Sequence, residues 1–126
     1  MSISHLLATR LAITNVILAA VDSGTAGNLV FQEVGDGAIV ATLSLSSPAG
    51  TIDNGTAVLT FDTIASDESV VGGDIAEFKV EDSAGTEVFR GSVGVAGSGA
   101  DLILSSLSYA ATDRLEVTDV IYTPPV

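Results

Sequence analysis

The chain has 126 residues, of which 47% are hydrophobic and only 16% are charged, and 16 acidic against 4 basic side chains give a net charge of −12. Four cations cannot neutralise a run of phosphates, which excludes a basic nucleic-acid clamp, and the hydrophobicity excludes a disordered chain. Without cysteine there is no disulfide framework and no thiolate metal site. Ordinary chains carry about 25% charged residues, so we expect apolar surface to be buried against copies of the chain or a larger assembly. The alternative is a monomer coated with small uncharged residues.

The first predicted element is a helix from about residue 4 to residue 22. Ser2 or Ser4 is expected to cap it, and Ser23–Gly24 is expected to end it. Its apolar run is too short to span a bilayer, so a docking helix is favoured over a membrane span or a signal peptide. The apolar stripes of this helix are predicted to contact another subunit or a shell through Leu7, Leu11, Leu18, Ile13, Ile17 and Val21.

From Asn28 onward the apolar residues recur with a period of two, which indicates a β-rich body over about residues 28–123. Leu29–Val34 and Ala38–Leu45 flank the tight-turn signal Gly35–Asp36–Gly37 and predict a hairpin. In its second strand, one face is predicted to carry the alternate residues Ile39, Ala41, Leu43 and Leu45.

A second hairpin is predicted where Ile75–Glu81 and Glu87–Val93 alternate on either side of a turn, with Gly85 at a positive φ. Further short strands are expected at Ala57–Phe61, around Leu102 and at Leu115–Thr123. About seven short strands with turn signals between them are typical of an antiparallel β-sandwich or an open β-barrel. The predicted fold is therefore mainly β with an N-terminal α-helix, in a single domain over residues 1–126.

The sequence offers little for catalysis. His5 is the one histidine, and it stands near the chain start without a plausible Ser or Asp partner, which predicts a surface residue rather than a base. The glycine-rich run Gly94–Gly99 lacks a lysine and lies between strands, which predicts a flexible loop rather than a phosphate cradle. We therefore predict no enzymatic activity and no cofactor. A calcium ion stays open as an alternative at the loop oxygens of Asp53, Asn54, Asp67, Glu68 and Asp74.

One set of residues has the spacing of a known family: Asp22, Gly24, Gly27, Asp82, Ser83, Gly85, Val88, Gly91, Val93, Gly94, Ser98, Gly99, Ala100, Asp101 and Leu102. With these, the chain resembles, over nearly its whole length, a family of small structural proteins encoded in the virion modules of tailed bacteriophages. The matching residues are turn and strand residues, with Gly85, Gly91 and Asp101 as expected structural turn positions, and they specify a fold rather than a reaction. The family often has a segment rich in Lys, Arg and Pro after the first strand, and this chain departs from it with Gly35–Asp36–Gly37.

The resemblance implies a virion location and, most specifically, a capsid decoration (cement) protein that binds the outer surface of the major capsid protein. It implies a homo-oligomer, with a trimer favoured, and neither a nucleic-acid nor a membrane partner. A charge of −12 keeps assembled copies soluble outside the shell. A neck, connector or tail component is the main alternative. A receptor- or glycan-binding module would need an exposed aromatic pocket, for which the candidates are Phe31, Phe61, Phe78, Phe89, Tyr109 and Tyr122.

Overall fold

A computed structural model of the chain describes residues 4–117 and 120–125. In chain order, the elements in those residues are α1 (Leu7–Val21), β1 (Asn28–Gln32), β2 (Ile39–Ser44), β3 (Gly50–Ile52), β4 (Leu59–Phe61), β5 (Gly73–Asp74), β6 (Glu77–Glu81), β7 (Glu87–Gly94), β8 (Leu102–Ile103), β9 (Ser108–Tyr109) and β10 (Ile121–Tyr122). Strands hold 35% of the residues and the helix 12%, which confirms the prediction of a mainly β fold with an N-terminal helix. The curled sheet is consistent with a β-sandwich or an open barrel.

The strands form a five-stranded sheet in the order β2-β1-β6-β7-β8, a three-stranded sheet in the order β10-β4-β3, and a β5-β9 pair. Both predicted hairpins are confirmed, because β1 pairs with β2 and β6 pairs with β7, each antiparallel. β1 also pairs with β6, so the two hairpins lie side by side at the centre of the large sheet. The β7–β8 pair is parallel, which the antiparallel prediction did not include.

The core is one cluster of buried side chains from both larger sheets and from the end of α1. Phe31 and Leu43 contribute from the large sheet and Leu59 from the small one, each at most 1% exposed. Phe78 and Val80 alternate with half-buried charged residues along β6, as the period of two predicts. Burying each such side chain contributes about 1.5–3 kcal/mol to folding.

The first hairpin contains a β-bulge that changes which side chains face the core. The β1–β2 register shifts between Phe31 and Gln32, so that Val40 is an extra residue on β2. Val40 and Ala41 are therefore both buried, and Ile39 is 46% exposed. The prediction that Ile39 shares one face with Ala41, Leu43 and Leu45 is wrong, because a bulge interrupts the alternation on which that prediction depends.

The helix begins and ends close to its predicted bounds, but its cap differs. Leu6 is the N-cap residue and makes no side-chain capping hydrogen bond, so the prediction of Ser4 as the cap is wrong. The other candidate, Ser2, lies outside the described residues. Thr14, in the middle of α1, is fully buried and its hydroxyl donates to the Ala57 carbonyl at 2.7 Å. This bond fixes the helix to the loop that leads into β4.

Three of the short strands, β3, β5 and β9, were not predicted from the sequence. β3, β5 and β9 have two or three residues each, which is too short for an alternating pattern to be recognised. The predicted strand Leu115–Thr123 is present only as β10 and as a single bridge between Leu115 and Asp67. Thr118 and Asp119 of that prediction lie outside the described residues.

Candidate interaction surfaces

The helix residues predicted to contact a partner mostly face the β-body of the chain itself. Val21 is fully buried in the core, and Ile17 and Leu18 pack against the core cluster. We therefore reassign these three residues from a partner contact to intramolecular packing. Leu11 and Ile13 are half-buried, and Leu7, at 37%, is the one exposed member of the predicted set.

The outward face of α1 is made of small, uncharged residues. At 100° per residue, the exposed positions of α1 other than Leu7 fall on one side of the helix. They are Ala8, Thr9, Ala12, Asn15, Val16 and Ala19. Val16 is 68% exposed and is the one large apolar side chain on this face. The sequence pattern missed this division because α1 is apolar nearly all round, so hydrophobicity alone does not identify its outer face.

One edge of the large sheet, at β2, is covered by the loop of residues 65–72. The Val71 N–H donates to the Val40 carbonyl at 2.9 Å, and the Ala65 N–H donates to the Ser44 carbonyl at 2.8 Å. Between them, the Thr42 N–H donates to an Asp67 carboxylate oxygen at 3.0 Å. Three outward backbone groups of β2, the Val40 and Ser44 carbonyls and the Thr42 N–H, are thus paired by this loop.

The opposite edge, at β7, is paired only at its C-terminal end. β8 pairs with Val93 and Gly94. The next outward N–H, that of Ser92, donates to an Asp101 carboxylate oxygen at 2.9 Å, and the Ser92 hydroxyl lies 3.1 Å from the same oxygen. Because backbone direction alternates along a strand, the Arg90 N–H and C=O point to the same edge. Among residues 4–117 and 120–125, no strand pairs with Arg90 on that side.

A slot separates this part of β7 from β10, and we call it the β7–β10 slot. It has a volume of about 420 Å³ and is lined by Phe78, Phe89, Arg90, Gly91, Asp101, Ile121, Tyr122 and Thr123. Phe89 stands at the centre of its aromatic wall, 5.3 Å from the Tyr122 ring and 6.2 Å from the Phe78 ring between centroids. Phe61 also lies 6.4 Å from Phe89 between ring centroids, so four of the six candidate aromatic residues meet at Phe89. Three of them line the slot: Phe78, Phe89 and Tyr122.

The three residues predicted as structural turn positions have different roles. Gly85 lies in the β6–β7 turn with φ +87°, which confirms its predicted conformation. Gly91 lies within β7 rather than in a turn, so that part of the prediction is wrong. A Cβ on Gly91 would be 2.7 Å from a Phe78 ring carbon and 2.9 Å from an Asp101 oxygen, so the slot wall requires glycine there. Asp101 follows the loop after β7 and binds Ser92.

A charged cluster lies beside the slot on the outer face of the sheet. The Arg90 guanidinium contacts Glu87, lies 3.3 Å from Asp36 and lies 3.8 Å from Glu77. The buried Gln32 amide donates to Asp36 and Glu77, each at 2.7 Å. The hydrogen bonds from Gln32 and Arg90 lower the pKa of Asp36, and the bond from Arg90 lowers the pKa of Glu87. Their charged forms are therefore favoured in the folded chain.

The other sequence candidates for chemistry are dispersed. His5 precedes α1 and is half-buried. Asp53 and Asp67 accept bonds from the N–H groups of Gly55 and Ser69 in their own turns, and Glu68 binds Arg114. Within the described residues, no group of three or more His, Asp or Glu side chains is arranged to hold a metal ion. No helix in those residues is long and apolar enough to cross a membrane.

Comparison of the chain with known proteins gave no match to a family model, to a curated protein or to a solved structure.

Proposed function

We propose that the protein is a non-enzymatic structural component of a tailed-phage virion, and specifically a capsid decoration protein that binds the outer surface of the shell as a homo-oligomer. The observation that carries the proposal is the combination of a −12 charge with large apolar side chains left open to solvent. Such side chains, where they group on a surface, are typical of a contact site rather than of a free monomer.

The exposed apolar residues lie at several places on the described chain. Val34, Ile39 and Val71 belong to one end of the β1–β2 hairpin and the loop beside it, and they are 79%, 46% and 70% exposed. Val95 and Ile103 lie at the other side of the sheet, near the β7–β8 pair. A protein that packs between neighbours in a shell needs contacts on more than one side, and this distribution supports that role.

The roles of the residues that carry the family resemblance also support it. Gly85 forms a turn, Gly91 makes room for the Phe78 ring, and Asp101 binds Ser92. These are contributions to a stable scaffold present in many copies, and none of them needs a substrate or a cofactor.

The copy number tests the proposal. In purified phage particles that carry this protein, quantitative mass spectrometry should find hundreds of copies per particle. Six or twelve copies, or a multiple of the tail ring number, would contradict decoration and support the neck, connector or tail alternative.

A surface variant tests the contact itself. A charge at Ile17 would disrupt the core, because Ile17 packs against it. Val16 lies on the outward face of α1, so the variant is Val16→Asp. A buried unpaired charge costs several kcal/mol, so Val16→Asp should weaken the oligomer or its binding to particles if this face is a contact. Thr63→Asp adds the same charge at an exposed loop position and serves as the matched control. Equal assembly of the two variants would exclude the outer helix face.

A further inference from the structure

The β7–β10 slot lies between two free strand edges. On one side, the backbone of Arg90 points away from β6 and meets no strand in the described residues. On the other side, β10 pairs with β4 through Ile121 and Tyr122, and within residues 4–117 and 120–125 its second edge carries no strand. Within the described residues, an extended segment placed in the slot would thus lie beside strand edges with which no other strand pairs.

The shape of the slot adds a side-chain site to this backbone site. Phe78 and Phe89 meet edge to face, with 87° between their rings, and the Tyr122 ring packs on Phe89 at 5.3 Å between centroids. Because Gly91 has no Cβ, the Phe78 ring and the Asp101 carboxylate approach the β7 backbone closely and form one wall of the slot. A volume of about 420 Å³ takes one large apolar or aromatic side chain, and strand-addition sites gain their specificity from such pockets.

The charge around the slot indicates the chemistry of the occupant. Asp36, Glu77 and Glu87 surround Arg90, and Asp101 lines the slot itself. Lys79 lies opposite Arg90 on β6 and pairs with Glu81. These five carboxylates outnumber the two cations, which leaves an excess of negative charge at the rim. Electrostatic complementarity favours an occupant with Lys or Arg residues on either side of its apolar residue.

We propose that the β7–β10 slot is a strand-addition site for an extended, basic segment of a partner protein, whose central apolar side chain packs in the slot against the Phe89–Tyr122 aromatic pair. A second copy of this chain does not fit that description, because it has only 4 Lys and Arg residues and a charge of −12. The site is separate from the outer helix face and does not depend on the proposed role in a virion.

Peptide binding to the full chain tests the proposal. The probe is a fluorescein-labelled KVKFKVK peptide, with EVEFEVE as the charge-reversed comparator and KSKSKSK as a comparator of equal charge without apolar residues. Fluorescence anisotropy should show saturable binding of KVKFKVK that is at least tenfold tighter than that of either comparator. In amide NMR spectra, the largest shifts should fall on Arg90, Gly91, Ile121 and Tyr122.

Thr123→Trp fills the slot from its exposed rim, and Thr63→Trp places the same side chain on a distant exposed loop. We expect Thr123→Trp to weaken KVKFKVK binding at least tenfold and Thr63→Trp to leave it within twofold. Equal binding by both variants would overturn the proposal, as would amide shifts in the unsubstituted protein that fall outside the slot. If maltoheptaose shifts the slot amides and the peptide does not, the slot is a glycan site and the proposal is wrong.

Discussion

Each edge of the five-stranded sheet has a row of outward N–H and C=O groups that need hydrogen-bond partners. The two edges differ in how these groups are paired. At β2, the loop of residues 65–72 pairs with Val40, Thr42 and Ser44 in turn. At β7, the Ser92 N–H donates to Asp101, and within the described residues no strand pairs with Arg90 on that side. Since open edges favour pairing with other chains, we expect the covered edge to contribute to stability, and the open edge is the one that we propose for a partner.

The largest expected effect concerns the wall of the open edge. In Gly91→Ala, the new Cβ would meet a Phe78 ring carbon at 2.7 Å and an Asp101 oxygen at 2.9 Å. Overpacking of this kind destabilises by about 1–3 kcal/mol, which urea unfolding would measure. Gly55→Ala is the matched control, because its Cβ would meet only an Asp53 oxygen, at 3.3 Å. If both variants unfold at the same urea concentration, Phe78 and Asp101 do not pack tightly enough against Gly91 to exclude a Cβ.

The next effect concerns the covered edge. Asp67→Ala removes the acceptor for two backbone N–H groups, those of Thr42 and Ser69, each at 3.0 Å. We expect a loss of about 1–2 kcal/mol in the free energy of unfolding. Asp62→Ala, at an exposed position of the same charge, should change it by less than about 0.5 kcal/mol. Equal losses of unfolding free energy in Asp67→Ala and Asp62→Ala would mean that the Asp67 hydrogen bonds do not stabilise the loop against β2.

A smaller effect is expected from Asp101→Ala. Asp101 accepts one backbone N–H and one hydroxyl, both from Ser92, where Asp67 accepts two backbone groups. We expect about 0.5–1.5 kcal/mol of destabilisation and faster hydrogen exchange at the Ser92 amide. Unchanged exchange there would contradict the assignment of Asp101 as the residue that ends the pairing of β7.

The smallest effect concerns the charge cluster and depends on pH. The pKa values of Asp36 and Glu87 are lowered from 3.8 and 4.5 in the folded chain. The stabilisation that these shifts express is present above those ordinary values and is lost as the pH falls through the lower folded values. Arg90→Ala should therefore destabilise the protein more at pH 7 than at pH 3 in urea unfolding. An equal loss at both pH values would show that Arg90 acts through packing alone.

The elements that could be predicted are those in which apolar residues recur with a regular period over five or more residues of the sequence. The helix and the β1–β2 and β6–β7 hairpins were predicted from the period of their apolar residues and from the turn residues between the strands. The positive φ of Gly85 was predicted because the β6–β7 turn requires it. The bulge at Val40 and the parallel pairing of β8 depend on register and on distant contacts, which no local pattern encodes.

The candidate surfaces were less predictable for the same reason. α1 is apolar on nearly all sides, so the pattern could not tell Val21, in the core, from Val16, at the surface. The sequence named Phe78, Phe89 and Tyr122 only as three of six equal aromatic candidates, and only the folded chain brings these three to one slot. The signal that could have indicated the slot was Gly91, a glycine in the middle of a strand, because such a residue often marks a close approach.

The difference between the two edges can be measured directly by residue-resolved hydrogen exchange of the native protein. The Thr42 amide donates to Asp67 at the covered edge, and the Arg90 amide points to the open edge. We expect the Arg90 amide to exchange at least tenfold faster than the Thr42 amide, and we expect its exchange to slow when the KVKFKVK peptide is bound. Equal protection of the two amides in the free protein would contradict this expectation.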